Sequence, residues 1–272
     1  MSSSGGIKLI AIDLDGTLID HNLTVAPRVK QAIVAAQAQG VTVTLASGRM
    51  FAAMVPYAQE LNITVPLICY QGGLVRHPVT GETTFHLPVP PELAREVVAL
   101  ARERGIQVNA FADDRLHVES LTPEAEVYMR IARVEATVVP DLAVFLQDNP
   151  STKLVLVNLD ESKTDRLVEE LTAHFGSRLG ITKSHAYYTE AIHPEVSKGR
   201  ALTQLASALD ISLEQTMGIG DNLNDLSLVE TAGFGVAMAD GDPRVKAAAD
   251  FVTTSYAEDG VAVAIEKHVL RA

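Results

Sequence analysis

The chain holds one cysteine, Cys69, and no tryptophan. A single cysteine rules out an intrachain disulfide and a cysteine-based zinc site. Its place in the apolar run Pro66-Leu67-Ile68-Cys69-Tyr70 reads as a small buried thiol. The eight histidines never take His-Glu-x-x-His spacing, so a zincin site is not supported. Basic residues are few: 22 Lys and Arg stand against 34 Asp and Glu, a net charge of −12. That balance argues against nucleic acid and against anionic membrane surfaces as partners. An acidic protein can still take an anionic substrate where a metal and a few cations are local to the site. No run approaches the roughly 18 apolar residues of a membrane span. The opening Met1-Ser2-Ser3-Ser4-Gly5-Gly6 has no basic region, and Asp13 breaks the apolar stretch behind it. It reads as a disordered lead-in and not as a secretory signal, and a cytoplasmic protein is expected.

What remains is an ordinary globular balance, 47% hydrophobic and 21% charged. Its 272 residues suffice for one large or two modest domains at about 100–200 residues each. The informative stretch is Ile7-Lys8-Leu9-Ile10-Ala11-Ile12-Asp13-Leu14-Asp15-Gly16-Thr17-Leu18. Its Ile-rich start reads as a parallel strand buried on both faces. Asp13 and Asp15 follow at the strand end, on one face and roughly 7 Å apart. Two such carboxylates repel each other in a poorly solvated place, so the site needs compensating charge, most economically a divalent cation beside a phosphate-handling pocket. Gly16 gives a permissive turn and Thr17 a hydroxyl at the strand mouth, where open α/β sheets bind ligands. An EF-hand start fails, because its glycine position falls on Leu18 and its bidentate Glu position on Thr24.

Further strand ends carry polar groups. A helix opening near Pro27 and closed by Gly40 leads to the strand Val41–Ala46 and then to Ser47-Gly48-Arg49. A serine hydroxyl with free amides at the next helix start makes an anion site. The strand Pro66–Tyr70 ends in Gln71-Gly72-Gly73, and Pro78-Val79-Thr80-Gly81 forms a hairpin-like connection. Lys198 opens a helix, where a cation is disfavoured unless it reaches an anion. A short strand, Thr216–Gly220, ends in Asp221-Asn222-Leu223-Asn224-Asp225, a second acidic cluster past a strand. Between Pro88 and Glu190 the rhythm changes to α-β-β-α-β-α-β-α-β-β, which reads as an inserted layer of its own.

Asp13-Leu14-Asp15-Gly16-Thr17 resembles the first motif of the haloacid dehalogenase-like hydrolases, and Asp221 to Asp225 resembles their GDxxND motif. Ser47 and Lys198 match the second and third motifs. The inserted segment is similar to the large cap of the Cof-type phosphatase branch, and the resemblance spans residues 7 to 270. It implies an α/β fold: a doubly wound, Rossmann-like parallel core from residues 1–85 and 191–272, with an α+β cap from residues 86–190. It implies a phosphatase for small phosphorylated metabolites such as sugar phosphates, with Asp13 as nucleophile and Asp15 as acid/base. Mg²⁺ would be held by Asp13, Asp221 and the backbone carbonyl of Asp15. Ser47, Gly48, Lys198 and Asn224 would hold the phosphate, with Asp225 and Thr17 supporting them. Gln71 departs from the family's usual Asn-Gly. His117, Tyr187 and Tyr188 are cap residues to place. The competing readings are a phosphotransferase or mutase of the same superfamily, and a non-catalytic phosphate-sensing module like a receiver domain. The latter is about half this size and lacks a cap.

Overall fold

The computed structural model describes residues 6–19 and 22–270, so the lead-in read for residues 1–6 lies outside it apart from Gly6. The chain divides into two compact units, Met1–Phe85 with Ser197–Ala272, and His86–Val196. No helix among the described residues is long and apolar enough to cross a membrane.

The first unit begins with β1 (Leu9–Asp13), α1 (Pro27–Ala38), β2 (Thr42–Ala46), α2 (Phe51–Glu60), β3 (Leu67–Cys69), β4 (Leu74–Arg76) and β5 (Thr83–His86). In the second unit follow α3 (Pro91–Glu103), β6 (Gln107–Ala112), β7 (Arg115–Val118), α4 (Pro123–Ala132), β8 (Ala136–Val138), α5 (Leu142–Asp148), β9 (Ser151–Val157), α6 (Glu161–Phe175), β10 (Gly180–His185) and β11 (Tyr188–Ile192). The chain returns to the first unit with α7 (Lys198–Ala208), β12 (Thr216–Gly220), α8 (Leu226–Thr231), β13 (Phe234–Ala237), α9 (Pro243–Ala248), β14 (Phe251–Val252) and α10 (Gly260–His268).

The first unit's sheet runs β14-β13-β12-β1-β2-β3-β4-β5 among the described residues. Its neighbours from β14 to β3 pair in parallel, and β4 turns back antiparallel on β3. Every residue of β1 is buried, as expected of a strand covered on both faces. On one of those faces Ala201, Leu202 and Leu205 of α7 pack against Leu9, Ala11 and Ile68. From β1 the chain winds outward through β2 and β3, and from β12 it winds the opposite way. The C-terminal ends of β1 and β12 therefore flank the crevice of a doubly wound sheet.

The second unit's sheet runs β10-β11-β9-β6-β7-β8. Register decides its two faces. Val108, Ala110, Leu154, Leu156 and Ala191 face an apolar core shared with α3, α5 and α6. The alternate residues face the other way, where α4 lies against β6 and β9. The Asp160 carboxylate accepts hydrogen bonds from the Ser162 and Lys163 amides, which sets the start of α6 at Glu161.

Candidate active site

Asp13 ends β1 and is 3% exposed. Beyond it the backbone turns at Gly16 with φ +85°, and a Cβ there would stand 2.7 Å from the Asp221 Oδ2. Only glycine takes that conformation and that approach without strain. The turn brings Thr17 round to donate its hydroxyl to Asp221 Oδ1 at 3.0 Å. Asp221 leaves the end of β12, one strand away from Asp13.

Lys198 is the first residue of α7, behind Ser197, whose hydroxyl caps the helix by accepting from the Arg200 amide at 3.1 Å. It is fully buried, which excludes a solvent-facing lysine. Its ammonium donates to Asp13 Oδ1 at 2.5 Å and to Asp225 Oδ1. The other Asp225 oxygen accepts from the Asp221 and Asn222 amides at 3.1 and 3.0 Å. Asp225 is thus fully occupied in fixing the lysine and the acidic loop. The helix end disfavours Lys198, and two carboxylates overcome that.

Three carboxylates and one ammonium leave negative charge in excess. Burial, reinforced by the Asp225 charge and opposed by Lys198, pushes the Asp13 carboxyl well above its ordinary range. Burial and Asp225 push Asp221 up to about 6. Burial alone would lower Lys198, but Asp13 and Asp225 hold it above its usual value. Carboxylate oxygens of Asp13, Asp221 and Asp225 lie within 4.8 Å of one another, a group that could hold a metal ion. With Asp225 occupied, the second oxygens of Asp13 and Asp221 are the ones left to an ion. A hard divalent cation taking oxygen ligands fits both the donor type and the charge deficit.

The remaining sequence candidates sit around this centre. Asp15 does not join the carboxylate group through its side chain, which is 53% exposed. Arg49 grips both its oxygens, Nε at 2.9 Å and Nη2 at 2.6 Å, a fork that nothing in the local pattern announces. Ser47, buried at the end of β2, accepts the Arg49 amide on its hydroxyl at 3.2 Å. Asn224 donates to Gln71 Oε1 at 3.1 Å. The other end of the Gln71 amide fills the space where a side chain at Gly48 would stand. Gln71 itself holds φ +60°, the left-handed region, directly after Tyr70 at φ +52°. Gln71 therefore spans the gap between the β2 loop and the acidic loop. Of the second unit's candidates, His117 stacks on Phe145 of α5, ring centroids 4.4 Å apart, on the face that packs against α3, α5 and α6. Tyr188 lies on the opposite face, against Tyr128 of α4.

Carboxylates at two neighbouring strand ends, with a buried lysine between them, make an enzyme centre of the doubly wound α/β class whose carboxylate oxygens could hold a cation. The chain belongs to the haloacid dehalogenase-like hydrolases, whose family model matches residues 10–265. The solved structure of TM0651 from Thermotoga maritima shares 30% identity and a TM-score of 0.87, covering 96% of this chain and 97% of that one. YxeH of Bacillus subtilis, named provisionally as a phosphatase, is 33% identical over 270 residues, 97% of this chain and 98% of the relative. The pyridoxal phosphate phosphatase YbhA of Escherichia coli is 28% identical over 274 residues, 97% of this chain and 99% of the relative.

Proposed function

We propose that the chain is a Mg²⁺-dependent phosphatase of small phosphorylated metabolites that works through an aspartyl-phosphate on Asp13. The observation that carries this reading is the fully buried Lys198 ammonium on Asp13. It fixes one carboxylate oxygen and offers its charge to the phosphoryl group arriving at the other. An Asp13 oxygen attacks phosphorus in line with the ester oxygen; the P–O(ester) bond breaks and the leaving alkoxide takes a proton from Asp15. Water then attacks the same phosphorus and gives a proton to Asp15. The P–O bond to Asp13 breaks, freeing inorganic phosphate and restoring the carboxylate. Ser47, the Gly48 amide, Lys198 and Asn224 hold the equatorial oxygens, because phosphoryl transfer depends chiefly on positioning and charge stabilisation. Asp13, Asp221 and the Asp15 carbonyl would hold Mg²⁺, which would supply electrostatic stabilisation of the phosphoryl charge. Thr17 and Asp225 position Asp221 and Lys198. Residues 86–190 choose the leaving group, since every residue named in these steps lies outside them.

Hydrolysis of 4-nitrophenyl phosphate tests the reading: activity should vanish in chelator, return with Mg²⁺, and release free phosphate without an activating bisphosphate. Full activity in excess chelator would overturn the metal assignment, and a strict need for a bisphosphate would point to a mutase.

A further inference from the structure

The turn after β3 holds two non-glycine residues in the left-handed region, Tyr70 at φ +52° and Gln71 at φ +60°. Asparagine tolerates that region; glutamine has no such preference, and for an aromatic it is an outlier. Residues held in this way are costly, and they persist only where the surroundings fix them, which is commonest at active sites. Three backbone bonds fix these. The Tyr70 amide donates to the Arg49 carbonyl at 2.9 Å, the Gln71 amide to the Ser47 carbonyl at 3.0 Å, and the Gly73 amide to the Tyr70 carbonyl at 3.0 Å. The turn is thereby pinned to the residues on both sides of Gly48.

What this conformation delivers is the Gln71 side chain. Its Oε1 accepts from Asn224 Nδ2 at 3.1 Å, and its Nε2 lies against Gly48, in space that a side chain there would need. The neighbours of Asn224 in the acidic loop are anchored from within that loop or by Lys198. Asn222 accepts the Leu223 amide at 2.8 Å, and Asp225 spends one oxygen on Lys198 and the other on two amides. Asn224 is exposed, and among the described residues Gln71 is the side chain that holds it. One bond on Nδ2 fixes the amide and leaves its second hydrogen to another acceptor. Length decides the contact. Asparagine at 71 would end one carbon–carbon bond sooner, roughly 1.5 Å, and a 3.1 Å bond would pass out of hydrogen-bond range.

We propose that Gln71 is a positioning residue: it holds the Asn224 amide against the Ser47-Gly48 loop, so that the second Nδ2 hydrogen meets a phosphoryl oxygen. Two loops from opposite ends of the sequence are thereby joined into one anion cradle. The inference rests on the phosphatase reading of this centre, and it makes the longer glutamine, in a conformation that suits asparagine better, a requirement of this chain's own pocket.

The Mg²⁺-loaded full chain is compared with Gln71→Met, Gln71→Asn, Asn224→Ala and the double variant Gln71→Met with Asn224→Ala, by steady-state rates on 4-nitrophenyl phosphate and by thermal midpoints. Gln71→Met keeps the length and removes the amide. It should lower kcat about threefold to tenfold with KM within about twofold, the scale of one hydrogen bond made in the transition state. Gln71→Asn should lose kcat to the same extent while its midpoint does not fall, because asparagine suits the left-handed region. Asn224→Ala should lose at least as much, and adding Gln71→Met to it should change kcat by less than about twofold, since Gln71 acts through Asn224. Three results would overturn the proposal: rates within about twofold of the parent in both single Gln71 variants, losses of kcat only in step with a fallen midpoint, or losses that multiply in the double variant. If the loaded chain hydrolyses no ester at all, the phosphatase reading fails by itself. Calorimetric binding of inorganic phosphate then decides the role of Gln71, upheld if Gln71→Met weakens it about threefold or more and overturned if it does not.

Discussion

Lys198→Met removes one charge and keeps most of the side-chain volume, so its consequences follow from electrostatics. In the parent, one buried ammonium serves Asp13 and Asp225. Without it, both carboxylates and Asp221 face each other in a buried space. Breaking a buried pair by deleting one partner costs about 3–5 kcal/mol. A unit of this size loses about 2–4 °C per kcal/mol, so the thermal midpoint at neutral pH should fall by about 6–20 °C. The deficit should shrink as the pH falls, because Asp13 and Asp221 already sit above their ordinary values and then take protons. Added Mg²⁺ should restore part of it by supplying positive charge. In kinetics, loss of one preorganised charge-stabilising group lowers kcat by about 10²–10³. Differential scanning calorimetry from pH 5 to 8, with chelator or Mg²⁺, and steady-state rates on 4-nitrophenyl phosphate read both. A midpoint within about 2 °C of the parent together with a rate within threefold would refute the reasoning.

Two further outcomes follow from the same centre. Burial first, and then Asp225, raise Asp221 to about 6, so its contribution to the metal-free fold is fully present below the unfolded carboxylate value of 3.8 and is lost as the pH rises through about 6. A metal held at Asp221 would bind its ionised form; the stabilising shift in midpoint on adding Mg²⁺ should therefore widen between pH 5 and 7.5, and a constant or shrinking shift would contradict a metal at Asp221. Arg49→Met frees the Asp15 carboxylate from its fork at the rim of the site and should change stability by under about 1 kcal/mol, since the pair is partly exposed. It should slow hydrolysis of an alkyl phosphate, whose departure needs a proton, about tenfold or more beyond any effect on an aryl phosphate; equal losses on both would show that Arg49 does not position Asp15.

Much of the centre was legible because its residues follow strands whose apolar runs are unmistakable. Asp13, Ser47 and Asp221 each stand just beyond a stretch that could only be buried. Lys198 was legible as an anomaly, a cation at a helix start, and its burial between two carboxylates explains the anomaly. Asp225 read as a supporting residue, but nothing local revealed that both its oxygens are consumed by Lys198 and by the amides of its own loop. Arg49 escaped notice because an arginine after a glycine at a helix start resembles any solvated cation; its partner is 34 residues earlier in the chain. Gln71 stood out as a departure, yet its bridge to Asn224 spans 153 residues and depends on two successive left-handed residues that no periodicity encodes. In the second unit the order of elements followed from the sequence, and the two faces of its sheet did not. His117 and Tyr188 were equivalent candidates until register placed them on opposite sides. β14 is two residues long, below what a pattern can reveal.

The central claim is that Asp13 bonds to phosphorus and Asp15 moves protons. Asp15→Asn separates these roles when the substrate is an aryl phosphate, whose leaving group hardly needs a proton. Attack by Asp13 should proceed, while water activation should be slowed by about 10²–10⁴-fold, so the phosphoenzyme accumulates. Rapid-quench mass measurement should find one phosphoryl adduct on Asp15→Asn, mapped to Asp13, and none on Asp13→Asn. An adduct on Asp13→Asn, or one mapped to residue 15 in the parent chain, would contradict the assignment.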